Sequence, residues 1–209
     1  MKRRLHTFIF FALTLASVAQ TNTPAGLEGF ADTFNRVVEL VDAEELSSME
    51  VAKGTYHATK LFATGTRAVP YAEQRFADAR KESEAAVAGL YMTVHGQDQQ
   101  LQAIQQGLET SAQKRTWLKR DVGTEQAFFE TLEAGAYWED FFPLLPSAHG
   151  VLKLSRMCVA SKDALVRRAG LLWSYTFKDA GLAGTLKQVA AADPDPVTRK
   201  IAARLAAGS

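Results

Sequence analysis

Four histidines, one cysteine and 23 acidic residues are the raw material for catalysis or metal binding in this 209-residue chain. His57, His95 and His149 lie far apart in sequence, and none stands three or four residues from another. A metal site would need the fold to gather them and an Asp or Glu to complete the shell. His95 precedes Gly96 at an expected helix end, where an imidazole meets free carbonyls. Cys158 shares a helical stripe with Val151 and Leu154 and reads as a buried, inert thiol. As the single cysteine it can close no internal disulfide. The chain has no Gly-x-Ser-x-Gly elbow, no phosphate-binding glycine loop and no His-Glu-x-x-His helix. The adjacent carboxylates Glu44-Glu45 and Glu139-Asp140 would point in different directions on a helix. The expectation is therefore a binding protein with no catalytic residue, cofactor or metal.

Two groups of side chains suit binding. Phe128, Phe129, Tyr137, Trp138, Phe141 and Phe142 crowd together. Phe128 faces the same way as Leu132 and belongs to a core. Six aromatics cannot share one stripe, and Tyr and Trp are common interface anchors. Tyr137, Trp138, Phe141 and Phe142 are thus the expected contacts to a protein partner. The second group is basic: Lys114, Arg115, Lys119 and Arg120, then Arg167 and Arg168, then Arg199 and Lys200. Stacked, these would make a positive ridge suited to a nucleic-acid duplex. The preferred reading ties Arg167 and Arg199 to turn acids instead.

Charge supports that preference. Lys2, Arg3 and Arg4, the apolar run Phe8 to Ala16 and the small residues of Ser17-Val18-Ala19 form a signal-peptide pattern, with cleavage before Gln20. The apolar run is shorter than the ~20 residues that span a bilayer, so no stable membrane insertion is expected after cleavage. The whole chain carries 24 basic and 23 acidic residues. Losing three basic and no acidic residues leaves the remainder slightly acidic, a poor match for phosphate. The expected location is periplasmic or secreted.

These side chains would be positioned by helices. Leu27, Phe30, Phe34, Val37, Val38 and Val41 follow a helical period, as do Val87, Leu90, Tyr91 and Val94, then Leu101, Ile104 and Leu108. Leu182, Leu186 and Val189, and Val197, Ile201 and Leu205, continue it. Breaks fall at Gly65, Gly96, Gly123, Pro143 with Pro146, Gly150 and Asp193 to Pro196. Such short gaps suit antiparallel helix pairs, expected over 25–64, 65–95, 97–122, 124–146, 147–176 and 177–207. A 47% apolar composition is enough for a core.

The last two pairs align at an offset of 32: Asp163, Val166, Arg167, Arg168, Ala169 and Trp173 on Asp195, Thr198, Arg199, Lys200, Ile201 and Leu205. Arg67 to His95 follows the plan more loosely, with Ala68-Val69-Pro70 opening one helix, Asp78 at the turn and a small-residue helix from Ala85 to Leu90. On Asp193-Pro194-Asp195-Pro196 with Arg199, and on that earlier unit, the chain resembles the HEAT-like repeats, the short type also found in bilin lyases. Glu84 departs from the pattern, standing where the repeat has Arg. The resemblance implies an all-α fold, a short α-solenoid of antiparallel helix pairs over 20–209 after the signal peptide at 1–19. It implies a structural ladder through Asp163, Arg167, Asp195 and Arg199. It also brings an enzymatic alternative, a lyase on pigments, which an exported chain disfavours. In that register Arg167→Ala should cost stability and Arg168→Ala little. The function expected is an exported, non-enzymatic binding module or scaffold for a protein partner.

Overall fold

The computed structural model describes residues 27–43, 48–135 and 149–208. Every regular element among them is helical. In chain order these are α1 (Glu28–Val41), α2 (Ser48–Ala63), α3 (Val69–Asp78), α4 (Glu82–His95), α5 (Asp98–Thr110) and α6 (Ala112–Val122). Then come α7 (Glu125–Gly135), α8 (His149–Val159), α9 (Ala164–Thr176), α10 (Leu182–Ala192) and α11 (Pro196–Gly208). A short 3-10 turn, Gly65–Ala68, joins α2 to α3. The signal-peptide pattern at 1–19 lies outside the described residues, as do Tyr137, Trp138, Phe141 and Phe142.

Side chains satisfy the free N-terminal groups of some of the helices. Asp163 caps α9, its Oδ1 accepting the N–H groups of Leu165 and Val166 at 2.9 and 3.2 Å. Gln97 and Gln100 form a reciprocal capping box at the head of α5. Pro70 stands in the first turn of α3, where its missing N–H costs nothing. Gly65 adopts a left-handed φ of 69°, the one described glycine to do so. Its carbonyl accepts the Tyr91 hydroxyl at 2.5 Å, tying the α2–α3 turn to α4.

Successive helices joined by short turns pack as hairpins: α1 with α2, α3 with α4, α5 with α6, α8 with α9, α10 with α11. Around α1, α3 and α4 the core is aromatic, with Phe30 edge-on to Tyr71 at 5.4 Å and to Tyr91 at 5.1 Å. Small residues let helices close up elsewhere. Helix α9 approaches α8 so tightly that a Cβ on Gly170 would lie 2.6 Å from the Val159 nitrogen and 2.7 Å from the Ser155 carbonyl oxygen. Helix α7 rests on α6, α9 and α11. Helix α4 packs directly on α8, past the intervening α5–α6 pair, and α5 touches both.

One turn geometry occurs three times. Arg115, Arg167 and Arg199 each stand four residues after Ser111, Asp163 and Asp195, which open α6, α9 and α11. Each guanidinium donates to the carbonyl six residues before it: Glu109 at 3.1 Å, Ser161 at 3.1 Å and Asp193 at 2.5 Å. The side chains at 161 and 193 then accept the backbone N–H of 163 and 195, at 3.0 and 2.8 Å. Offsets of 52 and 32 residues thus separate three like turns.

Arg167 reaches an acid of the neighbouring turn, one of the two arrangements expected, while the other ion pairs differ from the ladder. Asp163 pairs with Arg115 of the preceding turn, not with Arg167. Arg167 holds Asp193 through two hydrogen bonds of 2.7 and 2.8 Å. Asp195 pairs at 2.7 Å with Arg168, not with Arg199. Arg168 also donates to Thr198 and to the carbonyls of Val122 and Gly123. Both arginines are buried, Arg167 at 7% exposure and Arg168 at 5%. The expectation that Arg168 is dispensable therefore fails, because its guanidinium joins the end of α6 to the start of α11. Burial works against the charge of Asp195, but Arg168 and Thr198 hold its carboxyl at about 2.

Candidate ligand-binding cavity

Helices α4, α5, α6, α8 and α9 surround a cavity of about 250 Å³. Helix α6 turns one face into it, from Lys114 through Trp117, Leu118 and Asp121 to Val122. Those positions recur at helical spacing, and Lys114 and Asp121 stand about 10 Å apart along the helix axis. Helix α4 contributes Glu82 and then the small residues Ala85, Ala86 and Gly89. Removing side-chain bulk there is what leaves the space open. Val151, Leu154, Leu172 and Trp173 complete an apolar wall.

The charged groups fall into two sets. Arg120 bridges the two carboxylates of the first, lying 2.6 Å from Glu82 and 2.6 Å from Asp121. Burial, reinforced by the neighbouring Asp121 charge, pushes the Glu82 carboxyl up to about 7 against the pull of Arg120. Perturbed carboxyl pairs often mark acid–base sites. Here Arg120 donates to Oε2 of Glu82 and to both carboxylate oxygens of Asp121. The second set is Lys114 alone. It is only 3% exposed, and its ammonium sits 4.7 Å from the centre of the Phe76 ring. Burial lowers its pKa, with Asp78 and Glu84 acting in the opposite sense.

Glu82 makes the fold pH-dependent with a definite sign. Its folded pKa lies above its unfolded one, so its contribution is full below pH 4.5 and is lost as pH rises through about 7. The displacement corresponds to on the order of 3 kcal/mol. Burial lowers the His95 pKa and so works in the opposite sense over part of that window. The decisive quantity is therefore the difference between the wild type and Glu82→Gln. Urea unfolding from pH 4.5 to 7.5 should show the wild type losing stability relative to this variant by about 2–3 kcal/mol. Parallel curves would mean that the Glu82 pKa is the same in the folded and unfolded chain.

No known family, curated protein or solved structure matches this chain. The residues themselves must carry the functional argument. Among the described residues no group of three or more His, Cys, Asp and Glu could hold a metal ion. Cys158 is fully buried, and burial with the nearby Glu109 charge pushes its thiol up to about 12. His95 packs against Tyr91 at 4.7 Å between ring centres. Most of the basic cluster residues are engaged within the fold, while Lys119 and Lys200 are exposed. Lys114 is buried, Arg115 is paired with Asp163, Arg120 with Glu82 and Asp121, and Arg167 and Arg168 with Asp193 and Asp195. Phe128 is core, and Phe129 lies under the Arg204 guanidinium at 3.9 Å. Among the described residues no helix is long and apolar enough to cross a membrane.

Sequence reasoning missed the cavity and its lysine. Lys114 looked like one member of a solvated basic run. Its signal was present all the same: it shares the stripe of Leu118, Asp121 and Val122, while Lys119 falls off that stripe and is exposed.

Proposed function

We propose that this chain is an exported, non-enzymatic binding module built on HEAT-like repeats, and that it holds a small apolar molecule between its helices. The observation that carries the reading is the 250 Å³ cavity walled by α4, α5, α6, α8 and α9. Ligand sites lie typically between helices and hold a few polar groups in an apolar wall, in volumes of about 300–1,000 Å³. This one stands just below that range, which favours a small ligand. The thrice-repeated arginine turn supports the repeat family, and the pattern of residues 1–19 supports export. The engagement of Arg115, Arg120, Arg167 and Arg168 by acids speaks against nucleic acid. A protein partner at Tyr137, Trp138, Phe141 and Phe142 draws its support from the sequence.

Thermal unfolding with uncharged probes tests the reading. Indole, naphthalene or 1-octanol near 100 times its dissociation constant should stabilise by about 2.7 kcal/mol, raising Tm by roughly 6–10 °C. Ala86→Leu fills the space from α4. It should fold with an unchanged circular-dichroism spectrum and lose the shift. No shift with any probe, or an equal shift in the filled variant, overturns the reading.

A further inference from the structure

Among the described residues Lys114 has no ion-pair partner, and the charges of Asp78 and Glu84 reach it only from beyond salt-bridge distance. The lysine is 3% exposed, and it borders the cavity. Among the described residues no hydrogen bond or ion pair reaches its Nζ, which lies over the Phe76 ring face with Asp78 and Glu84 favouring its charge from farther away. Burying an ammonium is costly unless it is paired and hydrogen-bonded. An apolar side chain of the same length would fill the place without that cost.

None of the acids nearby forms an ion pair with Lys114. Glu84 lies 2.5 Å from Arg75 Nε. Glu82 and Asp121 share Arg120. Asp163 is taken by Arg115, and Asp78 is exposed to water at the end of α3. An anion in direct contact with Lys114 would come from outside the chain, through the cavity that the residue borders. A lone ammonium offers three donors and one charge. That suits a single carboxylate, whereas a phosphate dianion would need further donors beside it. An apolar cavity of about 150 Å³ takes one benzene ring, so 250 Å³ holds on the order of ten non-hydrogen atoms.

We infer that the ligand is an aliphatic monocarboxylate of about that size, its chain on the apolar wall and its carboxylate paired with Lys114. This rests on the cavity being a binding site, and it adds the chemical class of the occupant.

Isothermal titration at pH 7 with octanoate, 1-octanol and octylamine separates the possibilities, since the three share a chain and differ in the head. Octanoate should bind at least tenfold tighter than 1-octanol, with octylamine weakest. Lys114→Met, of similar length and no charge, should bind octanoate and 1-octanol equally. Should that variant not fold, the wild-type ranking still decides. Equal binding of octanoate and 1-octanol by the wild type overturns the carboxylate assignment and leaves the cavity reading standing. Tightest binding of octylamine overturns it in favour of Glu82 and Asp121 as the anchor. Retained octanoate preference in Lys114→Met also overturns it. If none of the three binds, and indole and naphthalene give no thermal shift either, the cavity reading itself falls.

Discussion

Arg168→Ala is expected to cost about 3–5 kcal/mol, the range for removing one partner of a buried pair. The guanidinium is 5% exposed and satisfies four acceptors: Asp195, Thr198 and the carbonyls of Val122 and Gly123. Alanine leaves the Asp195 carboxylate without its cation and two helix-end carbonyls without a donor. Domains of this kind have about 5–15 kcal/mol in all, so the variant should be far less stable. Arg167→Ala belongs in the same class, because it strands Asp193, which is 7% exposed. Arg204→Ala is the control. Its partner Glu125 lies 3.5 Å away and both side chains are well exposed, so the pair should contribute about 0–1 kcal/mol. Urea unfolding of the three variants measures the order. A loss at Arg168 no larger than at Arg204 would mean that the α6–α9–α11 junction does not exist in solution.

Gly170→Ala should destabilise although alanine is the better helix former. The intrinsic preference gains about 1 kcal/mol in a helix interior. Against it, the new Cβ would lie 2.6 Å from the Val159 nitrogen and 2.7 Å from the Ser155 carbonyl oxygen, which are backbone atoms with no rotamer to yield. Overpacking of this kind costs about 1–3 kcal/mol and more where backbone must shift. The clash should win, with a net loss of about 2 kcal/mol by denaturant unfolding. Gly184→Ala is the comparison: its Cβ would meet nothing within 4 Å, so helix propensity alone acts and stability should rise slightly. Equal gains at both positions would show that α8 and α9 are not in close contact.

The helical class was legible because the apolar spacing is helical almost everywhere. Phe30, Phe34, Val38, Leu101, Ile104, Ile201 and Leu205, all read as core from their period, are buried. Gly65, Gly96 and Gly123 do separate helices, whereas Gly150 lies inside the first turn of α8. The alignment of Asp163 with Asp195 and Arg167 with Arg199 found positions with the same local turn. It could not say which arginine reaches which acid, because the pairs run between turns. Two adjacent arginines look alike in sequence, and only the neighbouring helices show that Arg167 and Arg168 are both enclosed. The cavity was illegible for a similar reason. It is a space left by Ala85, Ala86 and Gly89 opposite α6, and a run of small residues reads equally well as close packing.

The direct packing of α4 on α8 has a consequence for how the chain comes apart. In a simple row of helix pairs each unit leans only on the next, and the ends can fray one unit at a time. Here α5 leans on α3, α4, α8 and α9 at once, and α4 meets α8 without it. Helices α3 to α9 are therefore tied by mutual contacts and should open together rather than one pair at a time. The N-terminal hairpin is tied to that block as well, through Phe30 of α1 and Phe62 of α2 against Tyr91 of α4.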